Sequence, residues 1–123
     1  MVFAIKSNEV QENPLREKHI YSSLKRELHK LNCPVIAING MSDHVHLLFK
    51  NQEELLLDQI AKQIKTVSSL QTNVNWEKGY ASFSIGERQV DIVTNYILTQ
   101  KERHTKIKEL ESDYWKRIVL KAG

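Results

Sequence analysis

The sequence predicts a two-layer α+β sandwich, in which helices cover one face of an antiparallel sheet. Short stretches rich in β-branched residues alternate with longer stretches whose apolar residues recur at helical spacing. The predicted order is β-α-β-β-α-β followed by one or two further helices, and its first six elements are those of a ferredoxin-like or RRM-like sandwich. The length of 123 residues suits a single domain over residues 1–123. This fold hosts many functions and indicates none by itself.

The first half of the chain gives strong local signals. The stretch "VFAIK", residues 2–6, is typical of a strand. A helix is predicted from Pro14 to about Leu31, because Asn13 suits the N-cap and proline suits the first helical position. Its apolar stripe is Ile20, Leu24, Leu28 and Leu31. The strand "CPVIAING" ends at an Asn39-Gly40 turn signal and predicts a hairpin with the next strand, "HVHLLFK".

The second half continues the same alternation. A second helix is predicted from Glu53 to about Leu70, followed by the fourth strand "YASFSI". From about Glu87 the chain is predicted to be helical, with Val90, Val93 and Ile97 as its apolar stripe. Ser112 and Asp113 are expected to cap a last helix from Tyr114 to about Leu120.

Composition limits the location and the partners. Cys33 is the single cysteine, so no internal disulfide can form and a reducing cytoplasm is the expected location. No apolar run is long enough to span a bilayer, and the first residues lack the layout of a signal peptide. The net charge of +3 and the pI near 9.0 permit a nucleic-acid partner without requiring one.

Two histidines stand at alternate positions of the predicted third strand. His44 and His46 therefore point to one face of the sheet, while Val45 and Leu47 point to the helix layer. On an open sheet face two such imidazoles could share one divalent metal ion, with Asp43 orienting one of them. The pattern alone is a weak signal, because paired exposed histidines on a strand usually bind nothing.

The third predicted helix carries further candidates. Tyr96 and Gln100 are four residues apart, so they share a helix face that borders the apolar stripe. A glutamine amide oxygen is a reasonable third ligand for Mg²⁺ or Mn²⁺, and a tyrosine beside that ion is a potential nucleophile. Its phenol has an ordinary pKa of about 10 and needs activation. The alternative is that Tyr96 packs against the core with a solvent-exposed hydroxyl and that Gln100 is a surface residue.

Several motifs together resemble those of a known family. His44-Val45-His46 is similar to the histidine–hydrophobic–histidine motif of the small HUH tyrosine transposases, and Tyr96 and Gln100 match their Tyr-x-x-x-Gln helix. The stretch "WEKGYASFSI" resembles the family's Trp-x-x-Gly-Tyr-x-x-Phe-Ser segment, and "IKTVSSL" its Lys-x-x-Ser-Ser helix. The likeness runs in order from about residue 2 to residue 104. These enzymes are single-strand-DNA transposases of minimal bacterial insertion sequences, with relatives associated with repetitive palindromes.

The resemblance implies an activity, a cofactor and partners. His44, His46 and Gln100 would hold Mg²⁺ or Mn²⁺, and Tyr96 would attack the scissile phosphate. The implied product is a 5′-phosphotyrosine link, from which a 3′-hydroxyl later rejoins the strands. The implied partner is single-stranded DNA with an imperfect hairpin. A homodimer is also implied, in which the tyrosine helix completes either its own site or that of the second copy.

Basic residues add candidate DNA contacts. Residues 101–121 carry seven Lys and Arg against four Asp and Glu, a local excess of +3. We expect weak DNA-binding contributions from Lys62, Lys65, Arg103 and His104, although a solvated charged surface explains any one of them equally well. The family often has two adjacent histidines after the glutamine, whereas this chain has Arg103-His104.

Three other functions compete with the transposase hypothesis. A domesticated relative would bind hairpin DNA without cutting it, and the intact candidate site argues against that. An unrelated metal-dependent phosphodiesterase would need further histidine or acidic ligands, but Leu47 to Lys50 follow the pair. A plain ferredoxin-like binding module would carry its histidines incidentally. Substituting Tyr96 by Phe separates these alternatives.

Overall fold

The computed structural model describes residues 1–7, 14–40, 44–99 and 119–121. In chain order the elements are β1 (Val2–Lys6), α1 (Pro14–Lys30), β2 (Val35–Gly40), β3 (His44–Phe49), α2 (Leu57–Thr72), β4 (Tyr80–Phe83), a 3-10 turn (Glu87–Gln89), α3 (Val90–Leu98) and β5 (Val119–Lys121). The sheet order is β2-β3-β1-β4-β5, and every neighbouring pair is antiparallel. This confirms the predicted ferredoxin-like α+β class, with β5 added beside β4.

One face of the sheet packs against α1 and α2 and forms the main core. Alternate strand residues such as Phe3, Ile5, Val45, Leu47 and Phe49 point into this layer and are fully buried. The helices contribute Ile20, Leu24, Leu28, Ile60, Ala61 and Ile64. The spacing of these residues is helical, so each helix presents one apolar stripe to the sheet.

The other face of the sheet is covered by α3. Val2, Ala37, Leu48 and Ile97 form a second buried cluster, flanked by Phe83, Ile85, Val90 and Val93. The expectation of an open sheet face was therefore wrong. The physical reason is that α3 carries its own apolar stripe, and the face opposite α1 and α2 is where that stripe can be buried.

The start of α2 differs from the prediction. The helix begins at Leu57 rather than near Glu53, because the Asn51 side chain holds the intervening segment as a turn. Asn51 Oδ1 accepts a hydrogen bond from the Leu55 N–H at 2.9 Å, and Asn51 Nδ2 donates to the Leu55 carbonyl at 2.8 Å. Glu54 takes a positive φ of 50° inside this turn. Local asparagine bonding of this kind competes with helix formation.

The predicted last helix is wrong at its end. Residues 119–121 form β5, in which Val119 pairs with Ser82 and Lys121 pairs with Tyr80. Pairing with β5 satisfies backbone groups that β4 would otherwise present at the sheet edge. The rest of that predicted helix, from Tyr114 to residue 118, lies outside the described residues, as do Asn13 and the segment 100–113. Across the described part of the chain, every helix is too short or too polar to cross a membrane.

Candidate active site

The two histidines of β3 lie side by side on the sheet face that α3 covers. The register places Lys6 of β1 opposite His44, and it places Ala4 of β1 and Asn39 of β2 on either side of His46. Val45, between the two histidines, and Leu47, after them, are in the core with α1 and α2. The predicted alternation of β3 is therefore confirmed, and one strand serves two different layers.

Both imidazoles are removed from solvent. His44 is 3% exposed and His46 is fully buried. Their ring centroids are 4.5 Å apart with the planes tilted by 34°. Burial, and secondarily the neighbouring His44, lowers the pKa of His46 well below its usual range. A neutral imidazole keeps a nitrogen lone pair for a metal ion, so this environment favours the ligating form.

The tyrosine helix lies on the same face as the histidines. Ile97 of α3 packs with Leu48 of β3 and Ala37 of β2, which fixes the helix across these two strands. Tyr96 precedes Ile97; its side chain is half-buried, and its hydroxyl oxygen is buried. The nucleophile candidate thus belongs to the element that covers the histidine face of its own chain.

Asn39 joins α3 to the strand beside His46, and the sequence analysis did not identify it as a site residue. Its amide nitrogen donates to the Ile97 carbonyl at 2.9 Å and to the Leu98 carbonyl at 3.3 Å. Its amide oxygen accepts the N–H of Gly40 at 3.0 Å. The last carbonyls of a helix lack partners within the helix, so the Asn39 side chain caps α3. The local sequence signal at this position is the Asn39-Gly40 pair, which is typical of a turn and does not indicate a contact with α3.

The remaining predicted site residues are either outside the described part of the chain or on α2. Gln100, Arg103 and His104 lie outside the described residues, as does Asp43. Lys62 is exposed on α2, and α2 packs on the sheet face opposite the histidines. Its DNA contact stays a prediction.

Lys65 has a visible structural role. Its ammonium group donates to the Glu77 carbonyl at 2.9 Å and to the Gly79 carbonyl, so it closes the loop between α2 and β4. Burial lowers the pKa of this ammonium. Its predicted DNA contact remains untested, since hydrogen bonds to carbonyls do not exclude a nearby phosphate.

Two of the sequence motifs meet in this loop. Ser68, about one turn before the end of α2, accepts a hydrogen bond from the indole nitrogen of Trp76 at 2.8 Å. Tyr80 follows Gly79, which has a positive φ of 89°; its ring stacks on Phe3 with centroids 4.7 Å apart, and its hydroxyl donates to Asp58. The Lys-x-x-Ser-Ser and Trp-x-x-Gly-Tyr motifs therefore form one structural cluster on the side of the sheet that α2 covers.

The histidine pair fits part of a divalent metal site. A metal–imidazole bond is about 2.1 Å long, so two rings can share an ion only when they lie within a few ångströms of each other. The separation of 4.5 Å satisfies this condition. Within residues 1–7, 14–40, 44–99 and 119–121, no group of three His, Cys, Asp or Glu side chains could hold a metal. A complete site here would need further ligands of another kind, such as an amide oxygen or water.

Comparisons with known proteins agree with these observations. A solved structure described as that of a proposed transposase from Deinococcus radiodurans R1 has the same fold. It aligns with a TM-score of 0.56 and 15% identity, over 81% of this chain and 90% of that one. No curated protein matches the sequence. The family model described as "Transposase IS200 like" matches residues 1–100, a span that includes β1 through α3. The chain therefore belongs to the IS200-like transposase family.

Proposed function

We propose that this chain cleaves and rejoins single-stranded DNA at hairpin ends, using a divalent metal and a 5′-phosphotyrosine intermediate. The observation that carries the proposal is the pair of buried imidazoles on the sheet face beneath the helix of Tyr96. In this scheme His44, His46 and Gln100 hold Mg²⁺ or Mn²⁺. When bound, the ion acts as a Lewis acid toward the scissile phosphate.

The chain's own residues supply the covalent chemistry in this proposal. The Tyr96 oxygen attacks phosphorus and loses its proton to solvent or a nearby base. The bond between phosphorus and the 3′ oxygen breaks, and that oxygen leaves as a hydroxyl after taking up a proton. A second 3′-hydroxyl then attacks the phosphotyrosine, forms the new phosphodiester and returns the tyrosine phenol. The phosphoester bond is conserved through both steps, so no nucleotide cofactor is required.

Two features favour catalysis over binding alone. Two adjacent imidazoles are buried beneath the helix of Tyr96, an arrangement that suits metal ligation and that DNA binding alone does not require. Asn39 also fixes the end of α3 beside His46, two residues before Gln100 in the sequence. We further infer a homodimer that acts on DNA in the cytoplasm, which analytical ultracentrifugation with and without DNA can test.

The test is capture of the covalent intermediate. Single-stranded oligonucleotides that span the DNA on both sides of the gene are incubated with protein and Mn²⁺, then separated under denaturing conditions. We expect a protein–DNA band that disappears with EDTA and with Tyr96→Phe. Tyr80→Phe is the matched control, because Tyr80 lies in the core on the other sheet face and the variant should still form the band.

The outcomes separate the candidate functions. Binding of these strands without any covalent band would support the domesticated, binding-only alternative. Metal-dependent cleavage that survives Tyr96→Phe would support a phosphodiesterase of another class. A band that is lost equally in Tyr96→Phe and Tyr80→Phe would point to unfolding rather than to a nucleophile.

A further inference from the structure

Lys6 is the last residue of β1 and stands directly opposite His44 in the β1–β3 register. The direction of its side chain follows from its neighbours in β1. Phe3 and Ile5 are in the core with α1 and α2, whereas Val2 and Ala4 belong to clusters on the opposite face. Strand alternation therefore puts Lys6 on the same face as the two histidines.

Lys6 lies at the His44 end of the strand pair, and it is the most exposed residue of β1. The preceding residues of β1 are buried, and His46 is fully buried, but Lys6 itself is half-buried. The strand end is fixed, since the Lys6 carbonyl accepts the N–H of Glu77 at 2.9 Å. The register and the strand alternation therefore put one cationic side chain on the histidine face, next to His44.

A lysine beside a divalent metal site is informative about the ligand. An ammonium group cannot ligate a metal, and two like charges at short range repel each other. The arrangement becomes favourable when an anion lies between them and contacts both. A phosphodiester oxygen is such an anion, and a lysine binds phosphate as a compact point charge with three donors.

We propose that Lys6 binds a phosphate of the DNA strand at the His44 end of the site and positions it for attack. This inference rests on the proposed function, because it names a substrate contact of that same site. Lys62 and Lys65 are not part of this inference, because they lie on α2, which packs on the sheet face opposite the histidines.

The experiment compares three variants on the oligonucleotide that gives the covalent band with wild-type protein. Lys6→Met removes the charge and keeps the length, and Lys6→Arg keeps a cation. Lys50→Met is the control, since Lys50 is exposed and follows the other end of β3. Circular dichroism establishes that each variant is folded. We expect Lys6→Met to slow formation of the band by roughly 10- to 100-fold, the range for a charged hydrogen bond, while Lys6→Arg recovers most of the rate.

A binding measurement distinguishes contact with phosphate from a general effect. In the Tyr96→Phe background, removing one phosphate contact should lower the slope of log affinity against log salt by about 0.7. An oligonucleotide with an uncharged methylphosphonate at the mapped cleavage position should bind more weakly to the protein with Lys6. It should show little further loss with Lys6→Met, since the same contact is already missing.

The two proposals fail in different ways. If wild-type protein forms no covalent band on any strand, the proposed function fails and the Lys6 inference falls with it. If the band forms and Lys6→Met matches Lys50→Met in rate and salt slope, Lys6 does not contact the DNA, while the transposase proposal stands. Equal methylphosphonate losses with and without Lys6 would also overturn the inference.

Discussion

The two faces of the sheet differ in what they bury. The face under α1 and α2 buries large apolar side chains, among them Phe3, Leu47 and Phe49. The face under α3 buries two histidines and an asparagine beside small residues, Ala4 and Ala81. Apolar burial stabilises a fold, whereas buried polar groups cost free energy unless they find partners. The strands therefore bury mainly large apolar side chains on one face, whereas His44, His46 and Asn39 are buried on the face where the proposed chemistry lies.

The sharpest way to test this contrast is to remove the histidines. His44→Ala combined with His46→Ala should abolish formation of the covalent DNA band and Mn²⁺ binding by calorimetry, because both imidazole ligands are gone. The free energy of unfolding should fall less than in Leu47→Ala, because Leu47 belongs to the same strand but points into the apolar core on the other face. A double variant that still forms the band would remove the histidines from the mechanism.

A substitution in the apolar core should lower the stability of the fold without lowering the rate of band formation. Leu47 is fully buried in the main core, so Leu47→Ala should lower the free energy of unfolding by about 2–5 kcal/mol. Chemical denaturation followed by tryptophan fluorescence measures the loss. Below the unfolding transition, the rate of band formation per folded molecule should stay near the wild-type value. A large loss of rate in folded protein would mean that the two faces are not separable.

Asn39 combines a structural role with a position beside the candidate site, since its side chain caps α3 and it pairs with His46 across β2 and β3. Asn39→Ala removes two hydrogen bonds to helix carbonyls and should cost about 1–3 kcal/mol of stability. It should also slow band formation at saturating DNA more than it weakens DNA binding, because the helix of Tyr96 is less well fixed. Asn39→Asp serves as the comparison, as it keeps the acceptor for Gly40 and loses the donors. Unchanged rates in both variants would limit Asn39 to a structural role.

The smallest effect is expected at Tyr80, on the stabilising face. Burial, with the hydrogen bond to Asp58, raises the pKa of Tyr80 to about 12. Because the folded-state pKa lies above the unfolded value, this contribution to stability is present below about pH 10 and is lost as the pH rises toward 12. Tyr80→Phe should cost about 0.5–1.5 kcal/mol at neutral pH. Ultraviolet titration should show one late-ionising tyrosine fewer than in wild type, and an unchanged titration would contradict the assignment.

The sequence by itself determined the order of the elements from β1 to α3 and the placement of His44 and His46 on one face of β3. These follow from local rules: alternation along a strand, helical spacing of apolar residues, and the preference of proline for the first turn of α1. The motif resemblance also identified the family from residues alone. Such signals work because each depends on residues close together in the chain.

Only the tertiary structure decided which face each element covers. Whether α3 would lie on the same sheet face as α1 and α2 or on the opposite face depended on where its apolar stripe could be buried. This involves residues far apart in the chain, such as Asn39 and Ile97, which are 58 positions apart. The same dependence hid the contacts of Asn39 with α3 and the position of Lys6 opposite His44, and it made β5 resemble the end of a helix. Long-range packing and strand pairing leave no local pattern, so a single sequence could not predict them.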